Sequence, residues 1–481
     1  MTKHLDIDTK AMRAKILDLA IQGKLTDQRA EDGNAQDLLK DIQAEKEKLI
    51  KEQQIKKEKP LPEIEADEIP FEIPKNWMWA RWGTLSISIK YGYNTSAQKD
   101  GKIKMVRISD IQNNQVNWDS VPFCNIPKEE ITQYLLRKND ILFARTGGTV
   151  GKSYLVSEVP ENVVYAGYLI RTRYSEKLSP QYLKYFMESD LYWSQLKKGT
   201  TTTAQPNCNA KTLGKMVLPL PPLTEQKRIA DKVATLFAQL DAIDKAYEEY
   251  RELQQTMKAK LLDLAVQGKL TDQRAEDGNA RDLLKEIQAE KEKLIKEKQI
   301  KKEKPLPEIT EEEKTFDIPE NWMWVRLGEM ILNHIGGGTP DKSNEAYWNG
   351  DIPWMSVKDV HQDSMYADRI IDSITPAGLE NSSSNLIEAN RLIVVMRMAV
   401  GRAVINKLPV AINQDLRALF FRDNVTQEYI LRIFKILKFE TSGMTVKGIK
   451  LWVLLNTPIP LPPLAEQKRI VAKLDELLPL L

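Results

Sequence analysis

Residues 218–269 read LPLPPLTEQKRIADKVATLFAQLDAIDKAYEEYRELQQTMKAKLLDLAVQGK and predict one long helix. Pro221 and Pro222 end an extended segment, because proline fixes φ and lacks the amide donor that a helix interior needs. Thr224 is the predicted N-cap, and Gly268 stands where a glycine commonly ends a helix. About 44 residues, each rising about 1.5 Å, make a rod of roughly 65 Å.

Apolar residues follow this helix at alternating steps of four and three. A 3.5-residue repeat is typical of the contact seam of a coiled coil. The pattern runs on through Tyr250 and Met257, and only Gln254 interrupts it. The last residues of the chain show the same spacing. The predicted seam residues are Ile229, Val233, Leu236, Leu240, Ile243, Ile470, Leu474 and Leu477. A long helix with one apolar seam requires a partner.

The partner is encoded at the two ends of the same chain. Residues 14–62 repeat residues 259–307 almost letter for letter, and residues 459–481 repeat residues 218–240. The two ends therefore rebuild nearly the whole central rod and leave a gap at residues 241–245. Internal repeats decide a fold when they are present. This one predicts a cyclic pseudo-twofold arrangement, with one continuous rod and a second rod split between the termini.

Two inserts separate the rods, and they share an order of elements but little sequence. Short strand-like runs lie between Gly, Asn and Asp turns, and a helical stretch and a Gly/Thr loop follow. The predicted class is α+β, with two α/β domains separated by two long antiparallel helical regions. The expected segments are an N-terminal helical region (1–66), the first insert (67–217), a central helical region (218–310), the second insert (311–458) and a C-terminal helix completing the split rod (459–481). Because the rods are nearly identical and the inserts are not, we infer that the rods share one task and each insert has its own.

Composition excludes several classes of protein. In 481 residues, 42% hydrophobic and 29% charged residues are ordinary for a globular protein. No apolar run is long enough to cross a membrane, and the first residues do not read as a signal peptide. Two cysteines and three histidines do not suffice for a disulfide framework or a recognisable zinc site. We therefore expect a protein of the reducing cytoplasm.

Charge differs between the two inserts. Residues 75–215 contain 20 Lys and Arg against 11 Asp and Glu, whereas residues 320–457 contain 15 of each kind. A basic surplus on one domain is the electrostatic footprint that a polyanion partner favours. The cation surplus of the first insert is compatible with a nucleic-acid partner but does not by itself establish one.

No catalytic motif is complete in this sequence. RTGGTVGKS (residues 145–153) approaches a phosphate-binding P-loop, but Thr146 stands where the first glycine is required. A nucleotide-driven enzyme built on Gly151 and Lys152 remains an alternative that absence of nucleotide binding would exclude. The four tryptophans of the repeated NWMW motif could stack on bases, but their place at a domain's first strand favours core and docking roles. They are Trp77, Trp79, Trp322 and Trp324.

Several motifs resemble those of the specificity subunit of type I restriction–modification systems. They are the LPLPPLTEQKRI and IPLPPLAEQKRI segments, the two QGKLT turns, the two NWMW motifs, and GGGTP, GDIPWMSVKD, RTGGTVGK and NQDLRAL in the inserts. The resemblance spans essentially the whole chain. In the first insert, YGYNTS (residues 91–96) and KIKMVRISDI (residues 102–111) stand in place of GGGTP and DIPW.

The resemblance implies a non-catalytic subunit with two target-recognition domains, each reading one half of a split site on double-stranded DNA. The helices would set the spacing and dock two methyltransferase subunits, with restriction–translocation subunits added for cleavage. It implies no cofactor in this chain, with S-adenosylmethionine, ATP and Mg in the partner subunits. Outward helix positions such as Lys227, Arg228, Lys468 and Arg469 are the expected docking residues.

Base edges are read chiefly by Arg, Lys, Asn and Gln, and phosphates by cations and polar groups. On loops and helix ends, the candidate DNA-binding residues are Tyr91, Arg145, Thr146, Lys152, Lys197, Lys198, Thr201, Gln205, Asn207 and Asn209 in the first insert, and Thr339, Lys342, Lys358, Arg397, Arg402, Gln414 and Lys447 in the second. The other alternative is a coiled-coil scaffold whose inserts bind proteins, which salt-sensitive DNA binding would exclude.

Overall fold

A computed structural model shows two compact units with a similar order of elements. It describes residues 7–160, 162–199, 207–362, 364–437, 439, 441 and 447–481. The N-terminal unit is Lys3–Glu248 and the C-terminal unit is Glu249–Leu481. Their boundary lies within the long central helix, so each unit contains one half of that helix.

The N-terminal unit combines one helix pair with a mixed insert. Its helices are α1 (Thr9–Ile21), α2 (Ala35–Lys51), α3 (Trp82–Leu85), α4 (Lys128–Tyr134), α5 (Pro180–Phe186), α6 (Asp190–Gly199), α7 (Ala210–Lys215) and the first half of α8 (Leu223–Val266). Its strands are β1 (Met78–Arg81), β2 (Ser86–Tyr91), β3 (Ile103–Val106), β4 (Ile111–Gln112), β5 (Gln115–Val116), β6 (Phe123–Cys124), β7 (Ile141–Ala144), β8 (Ser153–Leu155), β9 (Val163–Tyr165), β10 (Leu169–Tyr174) and β11 (Val217–Leu220). The central helix has the predicted length of 44 residues.

In the described residues, two larger sheets form most of this insert, and β4 and β5 pair as a separate two-stranded sheet. Four antiparallel strands follow the order β2-β10-β7-β8, and three strands follow the order β6-β3-β9, with β3 parallel to β9. The first and last strands, β1 and β11, pair with each other in antiparallel register. This pairing brings the two ends of the insert together where they join the helices.

The C-terminal unit repeats this plan. Its further helices are α9 (Ala280–Lys296), α10 (Leu327–Met330), α11 (Pro376–Glu380), α12 (Asn424–Phe434), α13 (Leu451–Leu455) and α14 (Leu464–Leu477). Its strands are β12 (Met323–Arg326), β13 (Asn333–Gly336), β14 (Trp348–Met355), β15 (Tyr366–Ala367), β16 (Asp372–Ile374), β17 (Asn385–Ile387), β18 (Leu392–Val395), β19 (Ala403–Asn406), β20 (Val410–Ile412), β21 (Leu416–Phe420) and β22 (Pro458–Leu461). The sheets have the orders β13-β21-β18-β19-β15 and β16-β14-β20-β17, and β12 pairs with β22. The predicted α+β class with two inserts is confirmed.

In the N-terminal unit, α1 packs antiparallel to the first half of α8. The Arg13 guanidinium lies 2.8 Å from the Asp241 carboxylate and 2.9 Å from that of Asp244. At the opposite end, the Gln28 amide donates to Glu225 at 2.7 Å. The helix from the start of the chain is therefore the partner that the apolar seam requires.

In the C-terminal unit, α14 packs antiparallel to the second half of α8. The side-chain amide of Gln254 donates to the carbonyl of Leu481, and Thr271 donates to Glu466 at 3.2 Å. Leu262 and Ile470 lie in one buried cluster. The last helix thus occupies the place in this unit that the first half of α8 occupies in the other.

The predicted seam is largely buried. Ile229, Val233, Leu240, Ile470 and Leu474 are buried, and Leu236, Ile243 and Leu477 are half-buried.

The prediction was wrong for the middle of α8. Tyr250 is 47% exposed and Met257 is 44% exposed. Farther along the helix the buried residues are Leu262, Ala265 and Val266, which do not continue the predicted series. A straight α-helix has 3.6 residues per turn and drifts by about 20° per heptad from a strict 3.5-residue seam, so the buried face moves around it.

A buried carboxylate joins the helix pair to the insert. Glu225 is fully buried, accepts a hydrogen bond from Trp77 Nε1 at 2.8 Å and is also bound by Gln28. A side-chain atom on Gly23 would lie 2.5 Å from Pro74 and 3.2 Å from Trp77, and Gly23 has φ of +70°. Only glycine fits this turn without strain. The TEQKRI, QGKLT and NWMW motifs therefore meet at one junction.

The same junction recurs in the C-terminal unit. Glu466 is fully buried and accepts from Trp322 Nε1 at 2.7 Å and from Gln273 at 2.6 Å. Burial raises the pKa of Glu466, and its three hydrogen bonds oppose that rise. Trp322, like Trp77, is 4% exposed. These tryptophans are core and docking residues, as the sequence favoured, and they present no face for a base.

Arginine residues predicted to face outward instead hold the turns after the helices. Arg228 forms a bidentate ion pair with Asp32 at 2.6 and 2.7 Å and donates to the carbonyl of Asp27. Arg469 makes the same contacts with Asp277. The prediction that these two arginines are free for docking was wrong, because the adjoining turn folds back over them. Lys227 and Lys468 are exposed.

The Asp32 ion pair predicts a defined response to acid. The Arg228 guanidinium holds the pKa of Asp32 below its ordinary value of 3.8. Its stabilising contribution is therefore complete above that value and is lost as pH falls through the lower folded-state pKa. We expect Asp32→Asn to lower stability by about 1.5–3 kcal/mol at pH 7 and to flatten the loss of stability below pH 3.8. Urea unfolding at several pH values measures this. A pH slope for Asp32→Asn equal to that of the unchanged protein would contradict the expectation.

Candidate nucleic-acid interface

Four segments of the N-terminal insert converge at one end of its sheets. Arg145 follows β7, and its amide donates to the carbonyl of Tyr168, between β9 and β10, at 3.1 Å. The amide of Cys208 donates to the carbonyl of Arg145 at 2.9 Å, and Thr146 bridges Asn207. Four candidate side chains are thereby brought together: Tyr91, Arg145, Thr146 and Asn207 form what we call the first loop cluster.

An arginine–aromatic pair lies at the centre of the first loop cluster. The Arg145 guanidinium lies 4.7 Å from the centroid of the Tyr91 ring, a cation–π arrangement. The Tyr91 hydroxyl oxygen accepts a hydrogen bond from the amide of Ala210 at 3.0 Å. The stacking and the hydrogen bond fix both side chains before any ligand is bound. A planar guanidinium held in this way suits the bidentate recognition of guanine or of phosphate.

The C-terminal insert contains a corresponding cluster that is formed by different residues. The amide of Met396 donates to the carbonyl of Asp415 at 2.7 Å, as Arg145 does to Tyr168. Arg397 bridges Gly448, and its Nε lies 3.1 Å from the Asp415 carboxylate as an ion pair. The hydroxyl of Thr339 donates to the side-chain oxygen of Gln414. The predicted residues Thr339, Arg397, Gln414 and Lys447 form this second loop cluster.

Close backbone approach explains a repeated glycine. A side-chain atom on Gly92 would lie 2.2 Å from the carbonyl oxygen of Ala166, and one on Gly337 would lie 1.8 Å from that of Ile412. Both glycines directly follow the second strand of their insert, β2 or β13. The YGYNTS segment therefore occupies the position of GGGTP. The correspondence escapes sequence comparison because the two segments have only this glycine in common.

Strand β3 of the first insert corresponds to β14 of the second. Lys104 to Val106 pair in parallel with β9, and Trp354 and Met355 pair in parallel with β20. Each strand continues into a short turn capped by an aspartate, Asp110 or Asp359. The segment KIKMVRISDI thus takes the place of DIPWMSVKD in the first insert.

The other candidates lie at more varied positions. Lys152, Lys197, Lys198 and Lys342 are exposed. Lys358 forms an ion pair with Asp372 at 2.6 Å, and Arg402 donates to the carbonyl of Val360 at 3.4 Å. The side-chain oxygen of Asn209 caps α7 by accepting from the amide of Thr212. Thr201 and Gln205 lie outside the described residues. The DNA roles of all these residues stay predictions.

Two exposed side chains in the clusters were missed. Tyr168 is 63% exposed and stands where the second insert has Asp415. Met398 is 60% exposed with φ of +70°, at the position of Gly147, whose φ is +76°. An exposed aromatic ring and an exposed thioether can contact base faces or a thymine methyl group. The missed signal for Met398 was its position next to the predicted Arg397, whereas the sequence around Tyr168 carried no such signal.

In the described part of both clusters, the buried groups that could act as nucleophiles are held in their neutral forms. Burial raises the pKa of the Cys208 thiol to about 11 and that of the Tyr165 hydroxyl to about 12, so both stay protonated near neutral pH. Among the described residues, no group of three or more His, Cys, Asp and Glu side chains is placed to hold a metal ion. The Gly151–Lys152 segment leads into strand β8, whereas a P-loop leads into a helix. The arrangement offers hydrogen bonds, cations and aromatic faces, which are the means of recognition.

Comparison with known proteins identifies the family. The family described as the type I restriction modification DNA specificity domain matches residues 89–250 and 319–479. These two matches cover most of the chain. The chain belongs to this family. Each match begins inside an insert and extends into the helix that follows it. The matches thus include both loop clusters and both buried junction glutamates.

Relatives of known type share nearly the full length of this family member. The type I restriction enzyme EcoEI specificity subunit of Escherichia coli is 27% identical over 538 residues, covering 97% of this chain and 88% of the relative. The EcoAI specificity subunit of the same organism is 27% identical, covering 98% and 89%. A chain from a structure on complex assembly and conformational transition of the type I R-M system has a TM-score of 0.54 at 24% identity, covering 85% of this chain and 91% of that chain. This last likeness concerns the fold alone.

None of the helices in the described part of the chain has both the length and the apolar character that a membrane span requires.

Proposed function

We propose that this chain is the DNA sequence-specificity subunit of a type I restriction–modification enzyme, with each insert reading one half of a bipartite, asymmetric target. The observation that carries the proposal is the loop cluster built twice on the same main-chain contacts with different side chains. Arg145 and Tyr91 occupy one cluster, while Arg397 and Gln414 occupy the other. Different donors and acceptors on one scaffold suit two different half-sites.

Charge supports different contributions from the two inserts. The first insert has a surplus of nine cations over residues 75–215, and the second has no surplus over residues 320–457. Phosphate contacts made by Lys and Arg give affinity that falls steeply with salt. We therefore expect the first insert to contribute more to salt-dependent DNA affinity than the second. A protein-binding scaffold would show no such dependence.

The helices would set the spacing of the half-sites and dock the other subunits. Their sequences repeat almost unchanged, and both junctions keep the same buried contacts through Glu225 and Glu466. Two equal surfaces suit two identical methyltransferase subunits, and the exposed Lys227 and Lys468 belong to those surfaces. Restriction–translocation subunits would join for cleavage. S-adenosylmethionine, ATP and Mg would act in the partner subunits, and the assembly would work in the cytoplasm.

Exchange of one insert tests the bipartite reading. Replacing residues 75–215 with the corresponding insert of another family member should change one half of the methylated sequence and leave the other half unchanged. Methylated sites are mapped across a genome that carries the chimera together with its methyltransferase subunits. The matched exchange of residues 320–457 should change only the opposite half. An unchanged methylation pattern in both chimeras would refute the bipartite proposal.

A further inference from the structure

A cavity of about 490 Å³ lies in the N-terminal insert beside the first loop cluster. Its apolar wall includes Ile108, Ile111 and Met187, and the 40% exposed Trp193 lines one side. The loop between β7 and β8, which begins with Arg145, contributes Lys152 to the lining, and the first residue of β8 contributes Ser153. The volume and the mostly apolar wall suit a small planar molecule.

Polar groups in this cavity are placed for hydrogen bonding. Ser153 is 7% exposed, and among the described residues its hydroxyl oxygen has no hydrogen-bond partner. Lys184, 5% exposed, donates to the Glu188 carboxylate, and the Asn114 amide also donates to Glu188 at 3.2 Å. A buried polar group without a partner is costly in a folded protein. The cavity therefore offers a hydroxyl, a carboxylate and an amide to one occupant.

Two of the polar residues that line this cavity have apolar counterparts in the C-terminal unit. Tyr182 and Tyr429 each donate to a proline carbonyl in the closing strand, at 2.7 and 3.0 Å, which aligns their helices. In this alignment Lys184 corresponds to Leu431, which is fully buried. Ser153, the first residue of β8, corresponds to Ala403, the first of β19. The Lys184 and Ser153 side chains are therefore particular to the first insert and are not required by the fold.

We propose that this cavity binds a nucleobase, with its sugar-phosphate directed to the exposed Lys152. An indole ring offers a stacking face, and a serine hydroxyl with a carboxylate and an amide can pair with the donor and acceptor edge of a base. The occupant is a base extruded from the bound DNA or a free nucleotide, and both have this chemistry. The DNA source rests on the proposed function, while nucleobase binding itself does not.

Two measurements on the full chain distinguish these sources. The first records binding of each of the four deoxynucleoside 5′-monophosphates by saturation-transfer NMR. The second measures binding to a target duplex in which each base of the first half-site is removed in turn. Removing a base that enters the cavity should weaken binding at that position alone. The stacking variant Trp193→Ala should weaken nucleobase binding by at least about fivefold.

Matched variants separate recognition from folding. Trp452 is 52% exposed in the other unit, so Trp452→Ala should leave both measurements unchanged. Asn114 has φ of +56°, and Asn114→Gly removes its amide while keeping the turn conformation available. That variant should weaken nucleobase binding several-fold without changing the unfolding midpoint. It keeps the proposal testable if Trp193→Ala does not fold.

The outcomes decide between the alternatives. Monophosphate binding that both cavity variants weaken supports a free-nucleotide site. A base removal whose effect disappears in Trp193→Ala but persists in Trp452→Ala supports an extruded base. No monophosphate binding and no such coupling at any position overturns the cavity proposal, even while target binding leaves the proposed function intact. If the chain binds no DNA, the proposed function fails and the NMR result alone decides the cavity proposal.

Discussion

Glu225→Ala is expected to lower the free energy of unfolding of the N-terminal unit by about 2–4 kcal/mol. The substitution removes a fully buried carboxylate that accepts from Trp77 Nε1 at 2.8 Å and from the Gln28 amide at 2.7 Å. Trp77 Nε1 then remains buried without a partner, which costs about 1–3 kcal/mol, and the exposed Gln28 amide loses a hydrogen bond worth about 0.5–1.5 kcal/mol. The loss should also loosen the turn that Gly23 forms against Pro74. Urea unfolding measures the change.

A neighbouring residue supplies the control for this junction. Lys227 lies two positions along the same helix and is exposed, so Lys227→Ala should change stability by less than about 0.5 kcal/mol. Glu225→Gln keeps one acceptor oxygen and should fall between the two. The equivalent change Glu466→Ala should destabilise the C-terminal unit by a similar amount. Equal stabilities for Glu225→Ala and Lys227→Ala would show that the junction does not hold the unit together.

Gly92→Ala is expected to abolish recognition by the first insert. A methyl group there would lie 2.2 Å from the carbonyl oxygen of Ala166 and 2.4 Å from that of Tyr165. Main chain cannot yield as a flexible side chain does, so β9 and the loop after β2 must separate. That separation displaces Tyr91 from Arg145 and dismantles the first loop cluster. We expect a stability cost of about 1–3 kcal/mol and loss of the corresponding half-site in the methylation map.

A glycine in the loop after β7 is the matched control for Gly92→Ala. A methyl group on Gly148 would meet nothing within 4 Å. Gly148→Ala should therefore keep both stability and the methylation pattern. Gly337→Ala, whose methyl group would lie 1.8 Å from the Ile412 carbonyl oxygen, should remove the other half-site instead. Retention of the first half-site in Gly92→Ala would show that this loop does not contribute to recognition.

The repeat explains why the helical part was predictable. A sequence that occurs twice must form a similar structure twice, and its 3.5-residue apolar spacing admits only a paired helix. The 44-residue length of α8 and the burial of Ile229 and Ile470 follow from that pattern. The failure at Tyr250 and Met257 has an equally local cause, since the pattern cannot report how far a straight helix drifts around its axis.

The loop clusters depended on contacts between distant parts of the chain. Arg145 was a candidate from its residue type, but its stacking on Tyr91 joins residues on separate strands. Tyr168 carried no motif, and only the hydrogen bond from the Arg145 amide brings it into the cluster. Arg228 was predicted as a docking residue, but its guanidinium is paired with Asp32 in the turn after α1. Residue type predicts what a side chain can bind and does not predict which neighbours have already engaged it.

The sequence by itself determined the two-fold repetition, the α+β class, the long helix and the family. Those properties depend on the spacing of apolar residues and on sequence repeated within the chain. Both can be read without knowing which distant residues come into contact. Only the tertiary structure decided that YGYNTS takes the place of GGGTP, that the signature motifs meet at buried Glu225, and that a polar cavity opens beside Ser153. The physical reason is that backbone proximity and burial are set by pairings between strands far apart in the chain, which constrain shape more strongly than they constrain residue type.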